Sequence, residues 1–148
     1  MTRAPSFSPR PQRRLWLLWG PVVLYMALIF WASSRPWPQF LSQTPDFPLH
    51  GGAYFVLGVL AVRAVAKGLA EPRGAYELAA GVAITILYGM SDEWHQSVVP
   101  GRDASLRDVL ADAVGALVGA AVIALWWRMR RARGRTEDPV LDAGGRLT

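Results

Sequence analysis

Apolar residues along this chain do not recur at strand or surface-helix spacing; they gather into four long blocks, with the charges between and outside them. Leu15 to Ser33 is apolar almost throughout, and at 1.5 Å per residue it can cross roughly 30 Å of hydrocarbon with little to spare. The second block runs from Leu49 to about Ala66, the third from Tyr76 to Met90 and the fourth from Val109 to Trp127. The third has only fifteen residues before Ser91, Asp92 and Glu93, short of the roughly twenty that a span needs. Its helix is therefore predicted to continue through the acidic residues to about Gln96. The pattern predicts an all-α fold, a polytopic membrane helical bundle with four transmembrane helices.

The connecting segments set the domain limits. Residues 1–14 carry Arg3, Arg10, Arg13 and Arg14 among prolines and read as a basic disordered tail. An Arg-rich leader before an apolar run also fits a signal peptide, but the run exceeds the usual core of about 7–15 residues and three more apolar blocks follow. Arg35 to Pro48 holds four prolines and reads as a loop, and Lys67 to Gly74 as a short polar hinge. The membrane domain thus spans 15–127, and 128–148 is a basic, mostly disordered tail. Trp126 and Trp127 before Arg128, Arg130, Arg131, Arg133 and Arg135 form an aromatic belt followed by a basic anchor. With both termini inside, the inner segments hold nearly all Lys and Arg, leaving Arg35, Arg102 and Arg107 outside. Ala111, Gly115 and Gly119 make one ridge of small residues, and Ala116, Ala120 and Ala124 another. Such ridges let helices approach closely, and four spans need interfaces among themselves, so we read them as internal packing before a homodimer face.

Composition and charge narrow the partners. Apolar residues make up 52% of the chain and the formal net charge is +5. The arginines lie at helix ends beside tryptophan, without a separate basic domain, so the lipid bilayer is the expected partner and nucleic acid is not. The absence of cysteine excludes disulfides and thiolate catalysis.

Most other ionisable residues fall at one end of the predicted bundle: Asp46, His50, Asp92, Glu93, His95, Arg102, Asp103, Arg107, Asp108 and, deeper, Asp112, with Gln96 and Ser105. On a helix reaching Gln96, Asp92 meets His95 and Gln96 at i+3 and i+4, and Glu93 meets Gln96 at i+3. Ionisable groups at membrane depth are costly and are by default a functional-site hypothesis. Local roles compete with that reading. Ser105-Leu106-Arg107-Asp108 has the form of a capping box at the start of the fourth helix, though a capping Asp108 can also face the site. Pro100-Gly101 reads as a turn, and His50 fits equally an interfacial histidine. Asp112, one turn inside Asp108 on the same face, needs a cation, a donor or a proton.

At these residues the chain resembles the VanZ-like family. The likeness is carried by Asp46, by His50 to Leu57 (HGGAYFVL, with Tyr54), by Asp92-Glu93-Trp94-His95-Gln96, and by Pro100-Gly101-Arg102 followed by Ser105 to Leu110 and Gly115. It covers roughly Leu15 to Trp127. Two departures stand out: Phe47 where members often carry lysine, which removes a cation, and Asp112 where they often carry asparagine. The resemblance implies a multi-pass protein of the bacterial plasma membrane, its polar motifs facing the cell envelope, in a family associated with reduced sensitivity to teicoplanin-type antibiotics.

Two classes of function follow. In the first, His50, Tyr54, Asp92, Glu93, Gln96, Arg102, Asp108 and Asp112 bind an anionic lipid headgroup or cell-wall precursor, with arginine supplying bidentate donors. In the second, a membrane-embedded hydrolase or transferase acts on a lipid-linked substrate with Glu93 or His95 as general base. A metal-assisted variant would draw on His50, Asp92, Glu93, His95 and Asp108, but HExxH spacing is missing and Arg102 would oppose a cation, so neither metal nor cofactor is expected. A third reading is a purely structural polar network. No nucleophile motif assigns catalytic residues.

Overall fold

Each apolar block folds as one helix in the computed structural model, which describes residues 11–35, 47–69, 73–102 and 104–137. The helices are α1 (Pro11–Ser33), α2 (Phe47–Val65), α3 (Ala75–Gln96) and α4 (Leu106–Glu137), with no strand among the described residues. Three of them, over Arg14–Ser33, Phe47–Val65 and Leu106–Arg133, are long and apolar enough to cross a membrane. Their outward surfaces are apolar: Trp16, Leu24, Leu87, Leu110 and Leu125 are all exposed. In water so large an apolar surface would drive association, whereas in a bilayer it is the solvated face. At 22 residues α3 matches a span in length, but Asp92, Glu93 and His95 lower the apolar content of its last turns.

The elements start and stop for local reasons. Pro48, expected at the end of a loop, instead lies in the first turn of α2, where its missing N–H has no intrahelical partner to lose. Asp46 and the rest of that loop lie outside the described residues. α2 ends in a Schellman motif: Gly68 N–H donates to the Arg63 carbonyl and Lys67 N–H to that of Ala64, with Lys67 left-handed at φ 57°. α3 continues to Gln96 as predicted. In the turn that follows, the Arg102 amide donates to the Val99 carbonyl and Gly101 takes φ 80°, the left-handed place that type II turns reserve for glycine. α4 outruns its apolar block at both ends, continuing through the arginines to Glu137.

α2 lies at the centre, packed on α1, α3 and α4, while α1 is peripheral. Close approach of α2 to α4 rests on small residues. A Cβ on Gly115 would collide with the Gly51 carbonyl and lie 2.9 Å from the Phe55 amide; one on Gly119 would lie 2.8 Å from the Phe55 carbonyl, and one on Gly58 3.0 Å from Ala116 Cα. The Ala111–Gly115–Gly119 ridge is thus an internal interface. α3 approaches α2 in the same way, with Gly81 on the backbone of Val62. α1 is tied on by polar contacts. Tyr88 of α3 donates its hydroxyl to the Met26 carbonyl at 2.6 Å, and the Arg63 guanidinium of α2 donates twice to the Leu17 carbonyl at 3.3 Å. Leu17 is the residue whose helical partner would be the N–H of position 21, and position 21 is proline. The arginine supplies the donor that the proline lacks.

Candidate functional site

Three helices each carry one ionisable side chain to a common point. His50 comes from the first turn of α2, Glu93 from the last turn of α3 and Asp112 from the second turn of α4. His50 Nδ1 lies 3.1 Å from Asp112 Oδ1 and 3.8 Å from Glu93 Oε1. Asp112 is 1% exposed and Glu93 5%. This juxtaposition is the one the pattern of polar helix ends predicts, and it makes His50 part of the group instead of a lone interfacial histidine. The register follows from the glycine contacts: Gly51, beside His50, abuts Gly115, less than one turn beyond Asp112.

The start of α4 departs from a reciprocal capping box. Ser105 Oγ accepts from the Arg107 amide at 3.1 Å, as an N-cap should, but the Ser105 amide donates to Glu93 Oε2 at 2.9 Å and not to Asp108. A tertiary carboxylate has displaced the local one. Asp108 is left buried at the edge of the group, in the first turn of α4, where the helix dipole favours a negative charge.

Asp92 forms a second polar knot toward α1. Ser33 Oγ donates to its Oδ1 at 2.6 Å and Gln96 Nε2 to its Oδ2 at 3.0 Å, the latter being the expected i+4 contact. Gln96 meets Asp92 and not Glu93. The partnership with Ser33 was not anticipated; its only sequence signal is a polar residue closing an apolar helix. His95 faces away from His50, stacked on Phe30 at 4.4 Å and hydrogen-bonded to Ser34 Oγ at 3.0 Å. Arg102 donates to the carbonyls of Ala32 and Arg35 at the C-terminal end of α1, whose negative helix end suits a guanidinium. Arg107 is exposed, and Asp103 lies outside the described residues.

Tyr54, one turn inward from His50 with the rings nearly parallel at 6.5 Å, is fully buried. Its hydroxyl, Glu93 Oε1 and Asp112 Oδ2 are buried without a hydrogen-bond partner among the described residues. Tyr54 and Asp112 meet over Gly89, where a Cβ would lie 2.7 Å from Asp112 Oδ2 and 3.1 Å from Tyr54 Cε1. A cavity of about 230 Å³ opens beside His50 and Tyr54, lined by apolar residues that include Ile29, Leu49 and Ala53 and by the polar His50, Tyr54, Asp92, Gln96 and Arg102. A second cavity, of about 400 Å³ at the opposite end of the bundle, is lined by Arg14, Lys67 and Arg73 with Leu17 and Leu18. The two ends are thus chemically distinct, one acidic and imidazole-bearing, the other basic.

No curated protein and no solved structure matches the chain. A family model, described as VanZ/LLP1, matches residues 18–127, which hold most of α1, all of α2 and α3, the Ser105 cap and the cluster of His50, Glu93 and Asp112; the chain belongs to the VanZ/LLP1 family.

Proposed function

We propose that this VanZ-like membrane protein spans the bacterial plasma membrane four times, with both termini inside, and captures an anionic envelope component at the outer end of the bundle. The orientation is supported by the basic end formed by Arg14, Arg63, Lys67, Arg73 and Arg131, which the positive-inside rule places in the cytoplasm. α3 counts as the fourth span on its length and because Asp92, Glu93 and Gln96 of its last turns are buried within the bundle.

The observation that carries the binding reading is a cavity of mixed lining. Its apolar residues suit an acyl or prenyl chain, and its polar ones offer Arg102 to a phosphate or carboxylate and Asp92 and Gln96 to hydroxyl or amino groups. A lipid headgroup or a lipid-linked cell-wall precursor has both halves. Reduced teicoplanin sensitivity is then a phenotype to test in the host membrane. Mass spectrometry of lipids retained by the detergent-purified chain should find an anionic lipid that Arg102→Ala loses. Ala53→Phe, which fills the cavity and keeps every charge, should lose it too. Equal retention by both variants would refute capture at this site.

A second reading, a hydrolase or transferase, is favoured by one feature: Glu93 Oε1 is buried and unpartnered beside His50, as a general base could be. Glu93→Gln should leave capture largely intact. Product release from a lipid-linked precursor by the native chain, reduced about 10²–10⁴-fold in Glu93→Gln, would decide for the enzyme.

A further inference from the structure

We infer that His50, Glu93 and Asp112 form a binding site for one divalent transition cation, of the zinc or manganese kind, held between α2, α3 and α4. Their candidate ligand atoms all lie within 4.8 Å of one another, with His50 Nδ1 at 3.1 Å from Asp112 Oδ1 and 3.8 Å from Glu93 Oε1. Two donors bound at about 2.1 Å to one ion stand roughly 3.0–4.2 Å apart, so the two His50 separations fit a shared centre, and the Glu93–Asp112 pair, within 4.8 Å, needs at most a small side-chain adjustment to close on the same ion.

The unpartnered oxygens point to the same occupant. Glu93 Oε1 and Asp112 Oδ2 are buried without a hydrogen bond among the described residues, and the Tyr54 hydroxyl shares that condition one turn deeper. Unsatisfied carboxylate oxygens are costly inside a protein and more so at membrane depth. A dication would take the unpartnered Glu93 Oε1 as a ligand together with a carboxylate oxygen of Asp112 and balance both charges, whereas a protonated His50 would balance only one.

The surroundings hold the ligands in place as a metal site requires. The second oxygen of Glu93 accepts from the Ser105 amide, Asp112 is pressed against Gly89, and His50 is positioned by the Gly51–Gly115 contact. The donor set of one imidazole and two carboxylates suits Zn²⁺ or Mn²⁺ better than Mg²⁺, which prefers oxygen and retains water. Three protein ligands leave coordination positions for water or for a ligand anion, and a water there would find a partner in Tyr54. The sequence pattern led to no metal being expected, and the ligand set weighed there, His50, Asp92, Glu93, His95 and Asp108, left out Asp112. The fold turns Asp92 and His95 toward α1 and replaces them with Asp112.

The cation site stands whether or not the neighbouring cavity captures a lipid, and its test needs no lipid. The full chain, carried on a tag without histidine and stripped with chelator, is dialysed against Zn²⁺ or Mn²⁺ and counted by elemental analysis. One ion per chain is expected, and chelator should lower the melting temperature of the loaded protein. Glu93→Gln and Asp112→Asn, which keep shape, should each weaken binding by about 100-fold or more, since even outer partners of metal ligands contribute 10–100-fold. His95→Ala should bind like the native chain and so report that surface histidine is not the ligand. Less than a tenth of an equivalent bound, no response of the native chain to chelator, or native-like affinity in both carboxylate variants would overturn the inference.

Discussion

The pairing of Pro21 with Arg63 across α1 and α2 allows a quantitative test of what anchors the peripheral helix. Proline at position 21 leaves the Leu17 carbonyl without its helical donor, and Arg63 covers that oxygen with Nη1 and Nη2 at 3.3 Å each. A hydrogen bond to a charged group contributes about 1.5–3 kcal/mol in favourable geometry. These two bonds are long and exposed and share one acceptor, so about 1 kcal/mol is the better figure. Arg63→Leu should therefore destabilise the chain by about that amount. Pro21→Ala restores an amide to the Leu17 carbonyl, and in that background Arg63→Leu should cost close to nothing. The double-mutant cycle is read by SDS titration of protein in mixed micelles, followed by tryptophan fluorescence. A coupling of about 1 kcal/mol is expected, and additivity within about 0.3 kcal/mol would refute the account of proline and arginine as complementary halves of one bond.

Three further outcomes are expected. Gly115→Ala should destabilise the bundle by about 1–3 kcal/mol relative to Gly52→Ala, because both changes gain the same helix propensity while only the first drives a Cβ into backbone atoms of α2; Gly52 has nothing within 4 Å. The same titration compares them. Asp92→Ala should cost about 1–3 kcal/mol, chiefly by stranding Gln96, since Ser33 Oγ can turn its proton to the Phe30 carbonyl 3.1 Å away; Asp92→Asn, keeping one acceptor, should cost less. Reporter fusions at Gly74 and Pro100 should label opposite sides of the membrane, and labelling on one side would reverse the four-span arrangement.

The helices were legible because a bilayer writes them in bulk composition. Long apolar runs, proline-rich connections and the need for about twenty residues per span located all four, and the same length argument carried α3 through Asp92 and Glu93 to Gln96. Boundaries were less legible where local chemistry admits two answers. Pro48 looks like a loop residue until its place in an initial turn makes the lost N–H harmless, and the arginines after Trp127 look like a tail although the helix runs on to Glu137. Pro21 reads as one more residue of an apolar block, and only the approach of Arg63 reveals that it created a free carbonyl.

The site was legible in membership more than in pairing, and the difference lies in helix register. Sequence places polar groups at one end of each span, which suffices to bring His50, Glu93 and Asp112 near one another. It does not say which oxygen meets which donor, because that depends on sliding α2 along α4 by fractions of a turn. Here Gly51 and Gly115 fix the slide, their backbones touching where any side chain would collide, and the result sets His50 against Asp112. With that register in place, Glu93 arrives within reach of the Ser105 amide and takes the donor that a local capping pattern would have given to Asp108. The tertiary bond holds one carboxylate oxygen of Glu93 and leaves the other 3.8 Å from His50 Nδ1, on the same nitrogen that meets Asp112 Oδ1. The close packing of small residues and the acidic cluster are therefore linked: Gly51 and Gly115 set His50 of α2 against Asp112, while Gly89 of α3 leaves room for the same carboxylate, so that acids from two different helices share one histidine.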